Sequence, residues 1–583
     1  MPGNLSHDSH SGAVYCDKTL GRAFLGGNTI EFDREFDYIV VGAGTAGCVI
    51  ASRLSENTAN QVCLIEAGGS NRHPFIAIPA AVGAAIMSPK FGWGLSTVPQ
   101  PHVEGRRVPL PRGRVIGGTG SINGMAYFRG PAKDFDDWAA MGNPGWSYAD
   151  LLPYFLRSEH NPEYAGSPYH ATGGPMGVSF PTSRNRLCDA FNASMASLGY
   201  RELPDFNVPD PNGYGYRQGT IWKGRRVSTA SAYLKPAMTR RNLAVLIKTR
   251  TRRVLLDGKR AVGVEVQTRD GLERFAARKE VVVACGTFHS PHLLLHSGIG
   301  DERDLQSWGI TPTHHLPAVG RHLRDHPAAP IAMETEDPTS YGHSWKALPR
   351  NIAQSFRYLA TRRGPLASNL FETNAYIRTL PESDRPDLQL VFQPARRNPR
   401  PFPIPLGHGF AIVSVCLYPR STGTVRLSGP DPLAQPLIDP KLGSDEADLR
   451  TVLRGLKMAR TIFAHESFST YRAREVLPGP EVSTDLQWLE HIRRTLTTVH
   501  HPGSTCRMGP AGDNVVDHEL KVHGLERLRV ADASIYPRLV GANTNASVVA
   551  IAEKASDMIM GKPAPAPVTP MALAASTRLR PRA

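Results

Sequence analysis

Apolar positions fall into two kinds of stretch along this chain. Phe36-Asp37-Tyr38-Ile39-Val40-Val41 is a short apolar run of the kind that fills a parallel strand buried on both faces. A glycine turn and a helical apolar pattern follow it. Gln61-Val62-Cys63-Leu64-Ile65-Glu66 is then a second run of the first kind, which predicts a βαβ unit of about 30 residues. Glu280-Val281-Val282-Val283-Ala284-Cys285-Gly286 and Leu528-Arg529-Val530-Ala531-Asp532 predict two further buried strands. Residues 242–278 instead alternate apolar and polar around Asp257-Gly258, the pattern of an antiparallel hairpin or meander. Val548, Ile551, Ala552, Ala555, Met558 and Ile559 recur at helical spacing and predict a helix over about 546–560.

Residues 150–215 and 330–480 are richer in proline and show little βα alternation. The pattern predicts a nucleotide-binding domain built from separated segments, with a second domain inserted between them. The expected boundaries are an N-terminal extension over 1–35, the nucleotide domain over 36–150, 215–330 and 485–560, and the second domain over 151–214 and 331–484. A disordered tail is expected over 561–583, where Pro and Ala alternate before Arg578, Arg580 and Arg582. Length alone suggests about four units of ~150 residues; interleaving reduces them to two.

Composition narrows the class. With 41% hydrophobic and 20% charged residues, the 583-residue chain is not disordered as a whole. Its longest apolar run, Ala77 to Met87, is broken by Pro79 and Gly83 and falls far short of the ~20 residues that span a bilayer. No basic stretch followed by an apolar core opens the sequence, so no secretory signal is expected. Seven scattered cysteines without a C-x-x-C pair support neither a zinc cage nor a disulfide framework, and fit a cytoplasmic setting. The net charge of +15 raises nucleic acid or anionic surfaces as partners. Basic residues are spread along the chain with no zinc finger or RNA-binding motif, which sets nucleic acid aside. An anionic membrane, approached peripherally, or an acidic electron acceptor stays compatible with the charge.

Four clusters carry chemistry. Gly42-Ala43-Gly44-Thr45-Ala46-Gly47 sits between the first strand and the helix, and Glu66 ends the second strand. That order suits a dinucleotide: a tight turn, close approach of backbone to pyrophosphate, and an acid for ribose hydroxyls. The motif does not separate NAD from FAD. Pro111 to Gly124 (PRGRVIGGTGSING) is a second glycine cluster, either a surface loop or a cradle of N–H groups for a polar ring or phosphate. Near the C-terminus His500-His501-Pro502-Gly503 offers a base for a hydroxyl proton, and only one of two adjacent extended histidines faces a given pocket. Both histidines could equally be structural. Gly541-Ala542-Asn543-Thr544-Asn545 precedes the last helix, with Asn545 the expected N-cap and Asn543 either a turn residue or a polar site group.

Taken together, these motifs resemble the glucose-methanol-choline (GMC) oxidoreductases, and among them the bacterial choline dehydrogenase-like alcohol dehydrogenases. The likeness spans about residues 36–560. It rests on the first βαβ motif, PRGRVIGGTGSINGMAYFRG (111–130), EVVVACGTFHSPHLLLHSGIG (280–300), HPGSTCRMG (501–509) and the segment 530–559. VSTASAYL (227–234) and GRHLRDHP (320–327) also look like family segments, with His322 and Arg324 where Asn and Gln are more common. The order Gly503-Ser504-Thr505 departs slightly from the family pattern.

The resemblance implies a Rossmann-like FAD-binding domain in an α/β fold, with an interleaved α+β substrate-binding domain that carries an antiparallel sheet. It implies that Gly42, Gly44, Thr45, Ala46, Gly47 and Glu66 hold the ADP half of FAD. Gly118, Ser121, Asn123, Gly124, Met125 and Ala126 would run along the flavin and phosphates. Thr251, where valine is usual, would meet adenine through its backbone, and Asp532, Ala533, Asn543, Thr544 and Asn545 would approach the ribityl chain and pyrimidine edge. Ile122 stands where some members attach FAD through a histidine, so the flavin is expected to be non-covalent. His501 matches the catalytic histidine and Asn543 its partner. The implied reaction takes a primary alcohol to an aldehyde: His501 removes the hydroxyl proton, Asn543 holds the oxygen, and hydride passes to flavin N5. Oxygen, a quinone or another carrier would reoxidise the flavin. Rival readings are hydroxynitrile lyase or fatty acid photodecarboxylase chemistry on the same scaffold, and an NAD-dependent dehydrogenase.

Overall fold

The computed structural model describes residues 21–25, 28–397, 406–471 and 474–568. The apolar run Arg34–Val41 is the middle of a seven-stranded sheet. Val62–Glu66 and then Leu243–Ile247 lie parallel on one side, Leu272–Val283 lies parallel on the other, and Leu528–Val530 pairs with the end of that last strand. Ile39, Val40, Val62, Leu64 and Val282 are fully buried, as a parallel sheet covered on both faces requires. Arg250–Asp257, Arg260–Gln267 and the first half of Leu272–Val283 form the expected antiparallel meander. Leu243–Ile247 does not join it. A five-residue apolar run carries no mark of strand direction, and here the exposed edge of Val62–Glu66 decides its place.

Helix Thr45–Leu54 and the last helix, Asn545–Ile559, pack against each other beside this sheet. The last helix is buried nearly all round, Glu553 included. That carboxylate meets Arg53 (2.8 Å), Arg157 (2.8 Å) and the Tyr233 hydroxyl (2.6 Å), so one buried charge joins four separate segments. The cap of this helix is Thr544, one residue before the expected Asn545, and it makes no side-chain cap bond.

The second domain is built on an antiparallel sheet in the order Arg474–Leu477, Pro327–Thr335, His408–Cys416, Leu388–Gln393, Thr373–Ile377, Gly213–Tyr216, with Thr497–Thr498 beside Pro327–Thr335. Helix Glu446–Ala464 covers it, and Phe392, Phe410, Phe463 and Phe468 interlock beneath. Two expected boundaries shift by one element. Strand Gly213–Tyr216 completes this sheet, and helix Asp485–Thr495 buries Trp488 and Ile492 in this core, not in that of the nucleotide domain. Within the expected extension, Gly21–Leu25 and Asn28–Phe32 form an antiparallel hairpin; residues 1–20 lie outside the described residues. Of the expected tail, 561–568 has no regular structure, but the Val568 N–H donates to the Ala149 carbonyl (3.0 Å); 569–583 lies outside the described residues. No helix among the described residues is long and apolar enough to cross a membrane.

Candidate active site

A cavity of about 590 Å³ lies where the two domains meet. One end is made by the first glycine turn. Gly42 has φ +99°, and a Cβ there would lie 2.6 Å from the Ala284 carbonyl, so only glycine lets the chain leave the strand at this angle. Helix Thr45–Leu54 begins at Gly44 without a side-chain cap, leaving its first N–H groups aimed at the cavity. Nothing but the Ala284 oxygen, 3.8 Å away, approaches a Cβ built on Gly44. The second glycine cluster folds over the first: a Cβ on Gly118 would sit 2.8 Å from the Gly44 Cα. The two loops therefore form one wall.

Glu66 accepts from the backbone N–H groups of Gly68 (2.7 Å) and Ala43 (3.0 Å) while lining the cavity. Burial pushes its carboxyl up to about 7, against the pull of those two donors. Thr45 donates to the Asn545 side-chain oxygen (3.0 Å), which ties the start of the first helix to the start of the last. Two helix N-termini thus face the same space, an arrangement that favours negative charge there. Asp532 accepts from Gly286 N–H (2.8 Å), Ser290 hydroxyl (2.6 Å) and Ser534 N–H (2.8 Å).

Thr45, Ala46, Gly118, Asn123, Gly124, Met125, Ala126, Thr251, Asp532, Ala533, Asn543, Thr544 and Asn545 all line the cavity, with Gly42 and Gly44. Gly47 and Ser121 do not. Gly47 packs against the Gly42 carbonyl, and the buried Ser121 hydroxyl donates to the Ile116 carbonyl (2.7 Å), so both shape the loops from behind. Asn123 is largely a turn brace, its side-chain oxygen accepting from Met125 N–H and Arg226 Nη1 (both 2.9 Å). The buried hydroxyl of Thr251 has no hydrogen-bond partner among the described residues, nor has the side-chain oxygen of Asn543.

At the other end, His501 Nε2 lies 2.9 Å from Asn543 Nδ2. An amide nitrogen only donates, so Nε2 holds the lone pair and the proton of neutral His501 sits on Nδ1. His501 Nδ1 is 3.1 Å from His326 Nδ1, which must then accept. The buried Nε2 of His326 has no hydrogen-bond partner among the described residues. Asp325 anchors this pair: one carboxylate oxygen accepts from the backbone N–H of His501 (2.7 Å) and of His326 (2.9 Å). Burial holds His501 well below the usual histidine range, and the neighbouring His326, Arg112 and His500 push it the same way. His500 adopts φ +65°, an uncommon left-handed residue that turns the chain between the two histidines. Its carbonyl accepts from Arg112 Nη2 (2.6 Å).

Asp325, His326 and Arg112 are the site residues that sequence reasoning passed over. Asp325 and His326 lie in the segment GRHLRDHP, whose likeness to the family was visible but whose side chains had no assigned role.

Two family models, both described as GMC oxidoreductase, match residues 36–328 and 419–552. The chain is 36% identical to the alcohol dehydrogenase [acceptor] of Pseudomonas putida over 90% of its own length and 96% of that protein. It is 38% identical to an oxygen-dependent choline dehydrogenase of Sinorhizobium fredii with the same coverage. Among solved structures, pyridoxine 4-oxidase from Mesorbium loti aligns with a TM-score of 0.80 and 32% identity, covering 89% of this chain and 98% of the other.

Proposed function

The chain belongs to the GMC oxidoreductase family, which carries out FAD-dependent oxidation of alcohol donors, and we propose that His501 is its general base, acting on a primary alcohol. The NAD reading left open by the first glycine motif gives way to FAD. The cavity fits that group: two uncapped helix starts, an uncrowded Gly44, and an unpartnered Thr251 hydroxyl. When bound, FAD supplies the acceptor for hydride from the alcohol carbon.

The protein's part is proton handling and positioning. His501 Nε2 takes the hydroxyl proton, and its low basicity keeps it neutral and ready at neutral pH. Asn543 Nδ2, beside that nitrogen, donates to the oxygen as negative charge grows on it. His326 and Asp325 fix the tautomer and the backbone of the base. The 2.9 Å approach of His501 and Asn543 inside the cavity carries the proposal. In the test, His501→Ala should keep its flavin yet reduce it with alcohol about 10²–10⁴-fold more slowly. Unchanged reduction would remove His501 from the role.

The charge along the cavity bears on the substrate. Arg112, Arg217 and Arg397 line the cavity, whose only acidic lining residues among those described are Glu66 and Asp532, both already accepting hydrogen bonds. We read this as a pocket for neutral or anionic alcohols in preference to the quaternary ammonium alcohol named for the choline dehydrogenase relatives.

A further inference from the structure

One helix of the second domain keeps its apolar side out of the core. Helix Leu348–Thr361 is attached through Tyr358, which is buried and donates to the Gly224 carbonyl (3.0 Å). Leu348, Ile352, Phe356 and Leu359 are 43%, 48%, 68% and 64% exposed, and Trp345, in the turn leading in, is 89% exposed. At 3.6 residues per turn these five fall within an arc of about 80°. A single exposed leucine needs no explanation, but a contiguous apolar stripe with two aromatic rings marks a contact surface.

The charge around the stripe identifies what it contacts. Residues 338–371 contain Lys346, Arg350, Arg357, Arg362 and Arg363 and no Asp or Glu. Arg350 donates to the Pro338 and Ser340 carbonyls, and Arg362 lies over the Tyr358 ring. None of the five is ion-paired with a carboxylate among the described residues. A second copy of the chain docking here in a symmetric dimer would bring two such cationic stretches together, at an electrostatic cost. An apolar arc with Trp and Phe, on a helix whose charged side chains are all cationic, matches a surface that is oily below and negative above.

We propose that helix Leu348–Thr361 docks the protein on an anionic lipid bilayer, with the apolar arc at the headgroup–acyl boundary and the five cations among the headgroups. The helix also stands close to the substrate cavity. Its C-terminal turn, Pro365–Ala367, packs on Pro79–Ala81, and the next helix, Val82–Met87, supplies Ile86 to the cavity wall. Phe75 and Met87, on the two short helices beside Pro79–Ala81, are also exposed.

The test is flotation of the full-length, flavin-loaded enzyme with phosphatidylcholine vesicles, with and without phosphatidylglycerol. Binding should be at least tenfold stronger with phosphatidylglycerol and should weaken in high salt. The double variant Phe356→Glu/Leu359→Glu should lose binding at least tenfold, while flavin content and alcohol oxidation with a soluble dye acceptor stay at wild-type levels. Arg357→Glu/Arg363→Glu should lose the preference for phosphatidylglycerol. Equal binding of wild type and Phe356→Glu/Leu359→Glu would overturn the proposal. So would a wild type that binds neither vesicle, including the case of a dimer that this variant dissolves.

Discussion

Removing the Asp325 carboxylate tests whether His501 is held in place by its backbone. One oxygen of this fully buried group serves two N–H donors, on His501 at 2.7 Å and on His326 at 2.9 Å. Asp325→Ala strands both, at about 1–3 kcal/mol each, a loss partly offset at pH 7 because the buried ionised carboxylate goes as well. A displacement of about 1 Å at the base then costs about 10²-fold in rate. Asp325→Asn should behave differently, because the amide keeps an oxygen acceptor for both donors. Burial raises the native carboxyl to about 6, above its ordinary value of 3.8, so its ionised form destabilises the fold at neutral pH. A rise of about two units corresponds to roughly 3 kcal/mol. That cost is complete above the native pKa and vanishes as the pH falls below the unfolded one. Asp325→Asn should therefore melt at or above wild type at pH 7 and close to it near pH 4. The assay is anaerobic stopped-flow reduction of the flavin by alcohol, with melting followed by flavin release. A wild-type rate in Asp325→Ala would refute the anchoring argument, and an Asn variant as slow as the Ala variant would refute its geometric basis.

Gly44→Val should abolish flavin content, read from flavin absorbance per protein, while the apoprotein keeps its far-ultraviolet circular dichroism, because a Cβ there points into the cavity with no protein atom nearer than the Ala284 oxygen at 3.8 Å. Normal flavin content would count against the pyrophosphate assignment. The pH profile of kcat/KM should lack an acid limb at the ordinary histidine value of 6.5, since neutral His501 is retained well below it; protonation near 6.5, with loss of rate as pH falls, would contradict the burial argument. Among primary alcohols of similar size, the trimethylammonium compound should show at least a tenfold lower kcat/KM than its neutral or carboxylate-bearing counterpart. Choline as the best substrate of such a panel would overturn the charge reading of Arg112, Arg217 and Arg397.

Local chemistry made part of this molecule readable in advance. The first glycine turn and Glu66 follow from spacing within one βαβ unit, and the last helix, expected over 546–560, occurs at Asn545–Ile559. The nearness of His501 and Asn543 was an expectation carried by family likeness, and the fold brings them to 2.9 Å. What escaped reading depends on contacts between distant segments. Leu243–Ile247 has an apolar pattern compatible with either a meander or a parallel edge, and only its neighbour Val62–Glu66 distinguishes them. His326 precedes His501 by 175 residues and meets it through one ring nitrogen, a pairing that no periodicity announces. The boundaries near 215 and 485 shifted for the same reason: Gly213–Tyr216 and Asp485–Thr495 bury their apolar sides against the second core, which is assembled from several stretches of chain.

The bond between Thr45 and Asn545 spans 500 residues. A ribosome adding about 5–20 residues per second needs roughly 25–100 s to cover that distance. For most of that time the glycine turn at Gly42 exists without the helix start, the histidine and the asparagine that close its cavity. A nascent chain therefore has a nucleotide strand and turn but no complete flavin site. On the proposed site, cofactor loading should belong to the end of synthesis, and a chain stopped before the last helix should be isolated without flavin, however much of its sheet has formed.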